Sequence, residues 1–128
     1  MNLAQDLYNE LGKVVNKDKI YESRVDNRTM LQCNYKSEED KTYTVMFCIA
    51  DNSNKVEIYI RKQIEIKKNT LKKLNDLNVN YTGVTFCVDK SDILSVKTLS
   101  ISNGDPSLII LDMICLLNLA KETFKNFR

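Results

Sequence analysis

The chain opens on a helical spacing. Leu3, Leu7, Leu11 and Val14 recur at intervals of four, four and three, with Tyr8 and Val15 beside them, while Gln5, Asp6, Asn9, Glu10 and Lys13 occupy the other side. This pattern predicts an amphipathic helix over residues 3–15, with Gly12 weakening its last turn. The period then changes to two. Residues 21–25 are short and charged, as an edge strand would be. Over residues 29–35, Leu31, Cys33 and Tyr35 alternate with Gln32 and Asn34. After a polar turn at residues 36–41, residues 42–50 (TYTVMFCIA) are apolar on both faces, which predicts a central strand. Asp51, Asn52, Ser53 and Asn54 form a turn whose side chains can satisfy local backbone groups. Residues 56–61 then place Val56, Ile58 and Ile60 on one face and Glu57, Tyr59 and Arg61 on the other.

The second half repeats the helix-then-strands order. Residues 68–77 predict a short helix with Leu71, Leu74 and Leu77 on one face and Lys68, Lys72 and Lys73 on the other. Residues 81–89 and 93–101 read as two strands around the turn from Asp89 to Asp92. Asn103-Gly104-Asp105-Pro106 then breaks the chain. Asp105 suits an N-cap, because its carboxylate accepts a backbone N–H of the open first turn, and Pro106 suits the first helical position. The closing helix over residues 108–127 carries a stripe at Ile109, Met113, Leu116, Ala120, Phe124 and Phe127. Leu108, Ile110, Leu111, Ile114, Leu117 and Leu119 widen that stripe beyond what one sheet face covers. The expected architecture is α+β, α-β-β-β(β)-α-β-β-α, with three helices on a single antiparallel sheet of five or six strands and one domain over residues 1–128.

Composition narrows the function without naming it. The 128 residues are 43% hydrophobic and 28% charged, as in an ordinary soluble globular protein, and the net charge is only +2 from 19 basic and 17 acidic residues. That balance argues against nucleic acid or an anionic membrane as partner. No uninterrupted apolar run reaches the length of a membrane span. Acidic residues stand in the opening segment MNLAQDLYNELG where a signal peptide would be basic, so a cytoplasmic protein is expected. The four cysteines never fall at C-x2-C spacing and there is no histidine, so four reduced, buried thiols are expected and no metal or cofactor. Abundant Lys, Asn and Ile with three Gly and one Pro suggest an AT-rich coding sequence of bacterial or phage origin.

Residues 71–127, with LKKLNDLN leading to YTGVTFCVD, a turn, an alternating strand, NGDP and a long apolar helix, resemble the second half of the YbjN family. Its fold is that of the small type III secretion chaperones, and the first half follows the same order more loosely. The resemblance implies a dimeric, chaperone-like protein-binding module without an established active site. The other side chains fit that absence. Glu38, Glu39 and Asp40 read as a solvated turn rather than a metal site, and Asp112 as a carboxylate facing water or a neighbouring chain's lysine. Arg61, Lys62, Lys67, Lys68, Lys72 and Lys73 make the densest basic patch; Lys68, Lys72 and Lys73 are expected to be a solvated helix face, not a nucleic-acid site. No spacing pairs an acid with a base, so the chain is not expected to be an enzyme. The sequence therefore predicts a non-catalytic, chaperone-like or adaptor-like homodimer that binds a protein partner, with Leu108, Leu111, Ile114 and Leu117 as its self-association surface. The alternative is a small phage- or plasmid-borne inhibitor of a bacterial defence system, binding an enzyme or sequestering a nucleotide signal.

Overall fold

The computed structural model describes residues 2–39, 41–101 and 103–127. The elements follow the expected order: α1 (Leu3–Leu11), β1 (Tyr21–Val25), β2 (Arg28–Lys36), β3 (Thr42–Ala50), β4 (Val56–Gln63), α2 (Thr70–Asn80), β5 (Thr85–Val88), β6 (Ile93–Ser100) and α3 (Pro106–Thr123). Short 3-10 turns lie at Lys17–Lys19 and Phe124–Phe127. The six strands form one antiparallel sheet in the order β1-β2-β3-β4-β6-β5. The fold is thus α+β, as the periodicity predicts.

Register explains the core. Cys33 lies opposite Val45, Val45 opposite Ile60, Ile60 opposite Val96 and Val96 opposite Phe86, so one row of buried side chains crosses five strands. Leu31, Phe47 and Ile58 form a parallel row beside it. Leu3, Leu7 and Leu11 of α1, Leu74 and Leu77 of α2, and Ile109, Met113, Leu116 and Ala120 of α3 join these rows in one core cluster. Each such aliphatic side chain contributes about 1.5–3 kcal/mol on full burial. On the opposite face of the sheet, Glu57 Oε2 accepts from the Tyr59 hydroxyl at 2.9 Å and lies 3.5 Å from Lys97 Nζ.

Two helices and one strand differ from expectation. α1 stops at Leu11, with Gly12 as its C-cap, and Val14 is exposed. The poor helix formers Gly12, Val14 and Val15 end it, and the Asn16 side chain accepts from Asp18 N to start the next turn. α2 begins at Thr70, whose hydroxyl oxygen accepts from Lys67 N at 2.9 Å. Thr70, Leu74 and Leu77 make its buried stripe, which leaves Leu71 about 100° off and 73% exposed. The strand expected over residues 81–89 shrinks to β5, because α2 continues to Asn80 and Gly83 turns the chain with φ at +78°.

Candidate functional site

Local chemistry fixes the long helix. Asn103 and Gly104 adopt positive φ, and the Asp105 carboxylate then accepts from Ser107 N at 3.0 Å and from the Ser107 hydroxyl at 2.8 Å. The Ser107 hydroxyl, followed by backbone N–H groups, holds the Asp105 carboxyl below its usual range. From this cap α3 runs with Ile109, Met113, Leu116 and Ala120 against the core. At about 100° per residue, Leu111 lies on the side opposite Ala120, nine positions on.

That outward side remains apolar. Leu108 is 44% exposed, Leu111 55% and Ile114 40%, and Cys115 is exposed beside them. Leu99 at the end of β6 is 51% exposed, on the sheet face it shares with Glu57, and Ile101, just past the strand, is 68% exposed. Leu99, Ile101, Leu108 and Cys115 line a single hollow of about 520 Å3, with Val84 and Leu119 deeper in its walls. Asp112 also borders it, half-exposed, and its Oδ2 accepts from the Ser100 hydroxyl at 2.6 Å, which ties one carboxylate oxygen to β6.

Of the expected self-association residues, the structure brings together Leu108, Leu111 and Ile114. Leu117 is corrected: it is only 7% exposed. Three positions beyond Ile114 it has rotated about 60° toward the core side, near the angular position of buried Ile110, and Asn118 takes the outward place. Leu99 and Ile101 were not among the expected residues. Their signal is a change of apolar phase within one strand, from Leu94 and Val96 inward to Leu99 and Ile101 outward.

The basic patch disperses. Strand alternation sends Arg61 and Lys62 to opposite faces; Arg61 pairs with Asp89 at 3.0 Å, and Lys62 lies 5.6 Å over the Tyr43 ring. Lys68 and Lys72 are exposed, as expected. Lys73 is corrected: it is half-buried, its ammonium donates to the Asn126 carbonyl oxygen and it sits 5.9 Å over the Phe127 ring. Glu38 and Glu39 are exposed, and Asp40 lies outside the described residues.

A larger hollow of about 960 Å3 opens at the start of α1, beside Arg24 of β1, Thr29 of β2 and the β3–β4 turn. Its chemistry is already engaged. Both Arg24 nitrogens bond the Asp51 carboxylate, at 2.8 and 3.1 Å, and one also donates to Thr29 Oγ1 at 2.8 Å. Among the described residues, no three His, Cys, Asp or Glu side chains converge as metal ligands, and every buried side-chain polar atom has a partner. The thiols are free; Cys33 and Cys48 are buried, but Cys87 and Cys115 are exposed, contrary to the expectation of four buried thiols. Shifts run away from neutrality. Burial pushes the Cys33 thiol up to about 11, and burial followed by the Glu57 hydrogen bond pushes Tyr59 up to about 12. Among the described residues no helix is long and apolar enough to cross a membrane. The chain matches no protein-family model, no curated protein and no solved structure.

Proposed function

We propose that this chain is a non-catalytic, cytoplasmic protein-binding module, chaperone-like or adaptor-like, whose working surface is the strip formed by α3 and the end of β6. One observation carries the proposal: Leu99, Ile101 and Leu108, each at least 40% open, line one hollow, and Leu111 and Ile114, as open, follow Leu108 along α3 at helical spacings of three. Such side chains have dispersion and apolar burial to offer, the driving forces of protein association, and little that moves a proton or stabilises a developing charge. Contiguous exposed apolar patches on monomers are scarce and mark interaction sites. The likeness of residues 71–127 to the YbjN proteins supports the same class of role.

Photo-cross-linking tests it. A benzophenone side chain placed at Leu108 should form an adduct with a polypeptide, whether a second copy or another protein, in concentrated protein or cell extract. The same group at Lys90, in the exposed β5–β6 turn, should not. Equal yields from the two positions, or no adduct from Leu108, would retire the proposal.

A further inference from the structure

We infer that the corner where the β2–β3 hairpin meets the end of α3 is an anion site, in which Lys62, Lys121 and the hydroxyls of Tyr35 and Tyr43 take the phosphoryl group of a small phosphate monoester. The site is separate from the strip on α3 and β6 and does not rest on that strip's role.

Register assembles it. Tyr35 on β2 lies directly opposite Tyr43 on β3, and both belong to the helix-covered side of the sheet. Lys62 on β4 follows Arg61, the partner of Thr44, so alternation puts it on that same side next to Tyr43. Its Nζ lies 5.6 Å from the centre of the Tyr43 ring. Lys121, in the last turn of α3, comes to the other tyrosine. Its Nζ is 4.7 Å from the Tyr35 ring centre and donates to the Tyr35 hydroxyl at 2.9 Å. Two ammoniums from different elements thus meet one pair of tyrosines.

Neither ammonium has a counter-ion. Both lysines are half-buried, and no carboxylate among the described residues is within ion-pair distance of either. Glu39, the carboxylate that faces Tyr43, is paired with Lys41 at 3.3 Å. Lys41, Lys62 and Lys121 against Glu39 leave two positive charges in excess. The carbonyl end of α3 gives Lys121 a reason to lie there. Lys62 is on a strand and has no such reason.

The hydroxyls have donor capacity to spare. Tyr43 is only 3% exposed, yet its hydroxyl makes no hydrogen bond among the described residues and is open at its tip. Burial, followed by Glu39, raises Tyr43 above its ordinary value, so the hydroxyl keeps its proton. The Tyr35 hydroxyl accepts from Lys121 and has its own proton left to give. Two ammoniums and two phenols make a set of donors. A carboxylate offers them two oxygens and one charge. A phosphate monoester offers three terminal oxygens and about −1.5 to −2 charge, which matches the excess.

Titration of the full chain with inorganic phosphate tests the site, at fixed ionic strength and about pH 7.5, where the second proton is mostly lost. Amide NMR shifts should saturate and centre on Tyr35, Tyr43, Lys62 and Lys121, and phenyl phosphate should give the same map. Acetate, and dimethyl phosphate with its single charge, should bind at least about 10-fold more weakly. Lys62→Gln and Lys121→Gln should each weaken phosphate at least about 10-fold, the scale of one hydrogen bond to a charged group. Lys68→Gln and Lys72→Gln remove the same charge from exposed α2 and should stay within about 2-fold of the parent. Lys121→Gln also gives up the Tyr35 bond, so Tyr43→Phe is the cleaner variant. It deletes a hydroxyl with no partner in the protein, and should keep the parent's urea midpoint while phosphate weakens at least about 5-fold. Shifts that never saturate, that acetate reproduces, or that survive Lys62→Gln and Tyr43→Phe overturn the site. An equal loss in the two α2 variants reduces the effect to overall charge and overturns it as well. Dimethyl phosphate bound as tightly as phenyl phosphate overturns the monoester.

Discussion

Asn78 and Phe86 clasp the end of α2 to β5 by reciprocal hydrogen bonds. The Asn78 amide nitrogen donates to the Phe86 carbonyl oxygen at 2.9 Å, and Phe86 N–H donates to Asn78 Oδ1 at 2.8 Å. The side chain acts as an additional strand residue beside a strand only four residues long. Phe86 itself is buried beside Tyr81, with ring centroids 5.9 Å apart.

Removing that clasp should be costly. Asn78→Ala leaves a Phe86 donor and acceptor without this partner and should lower stability by about 1–3 kcal/mol. Asn78→Asp keeps the acceptor, loses the donor and should fall between the two. Urea unfolding at constant m measures both; an Asn78→Ala midpoint equal to the parent's would show that water replaces the amide freely.

The Asn78 clasp also shows where the sequence stops being readable. Turn chemistry on either side places β1 and β3 at their observed bounds, although TYTVMFCIA, apolar on both faces, leaves it to the fold that Val45 and Phe47 are hidden and Met46 only half-buried. Asp105 and Pro106 likewise locate the start of α3. The ends of α2 and β5 depend on single side-chain bonds, such as Thr70 to Lys67 and Asn78 to Phe86, and no period encodes those. In the candidate site, Leu111 and Ile114 are legible as surplus on an over-apolar helix. Leu117 is not, since only the direction of the core decides which edge of a wide stripe is hidden. Lys73 is hidden from sequence too, because its acceptor at Asn126 lies fifty-three residues away.

Acid should destabilise the protein, and three aspartates should contribute to that slope. Backbone N–H groups of Ile93 and Ser91, and then Arg61, hold the Asp89 carboxyl below its ordinary value of 3.8. The Arg24 guanidinium does the same for Asp51, and Ser107 for Asp105. A carboxyl depressed in the folded state binds its proton less readily there than in the unfolded chain. Its contribution is therefore fully present above the unfolded value and is lost as pH falls through the folded one. Urea midpoints taken from pH 5 downward should decline below about pH 4, and Asp89→Asn should flatten the decline. An Asp89→Asn slope matching the parent's would remove Asp89 from the account.

The basic residues of α2 should divide by location. Lys73 caps the closing 3-10 turn through the Asn126 carbonyl and the Phe127 ring, so Lys73→Ala should cost about 0.5–2 kcal/mol from the lost hydrogen bond and cation–π contact. Lys68→Ala and Lys72→Ala, at exposed positions, should stay within about 0.5 kcal/mol of the parent. Thermal unfolding of the three variants side by side decides it. Equal shifts for all three would mean that the tether from Lys73 contributes nothing beyond its charge.

Thiol reactivity should report burial. Cys87 and Cys115 are exposed, whereas Cys33 and Cys48 lie in the sheet, and burial has moved the Cys33 thiol up to about 11, far from the thiolate form that attacks disulfides. In dilute protein, an aromatic disulfide reagent should therefore titrate Cys87 and Cys115 quickly, and Cys33 and Cys48 only as the chain unfolds. Cys87 is on β5, with its sulfur 3.0 Å from the Ser95 hydroxyl, and Cys115 is on α3. Cys87→Ser and Cys115→Ser should each remove one equivalent from the fast phase and leave the slow phase unchanged. A fast phase that survives both substitutions, or one that holds more than two thiols, would show that Cys33 or Cys48 is reached without unfolding.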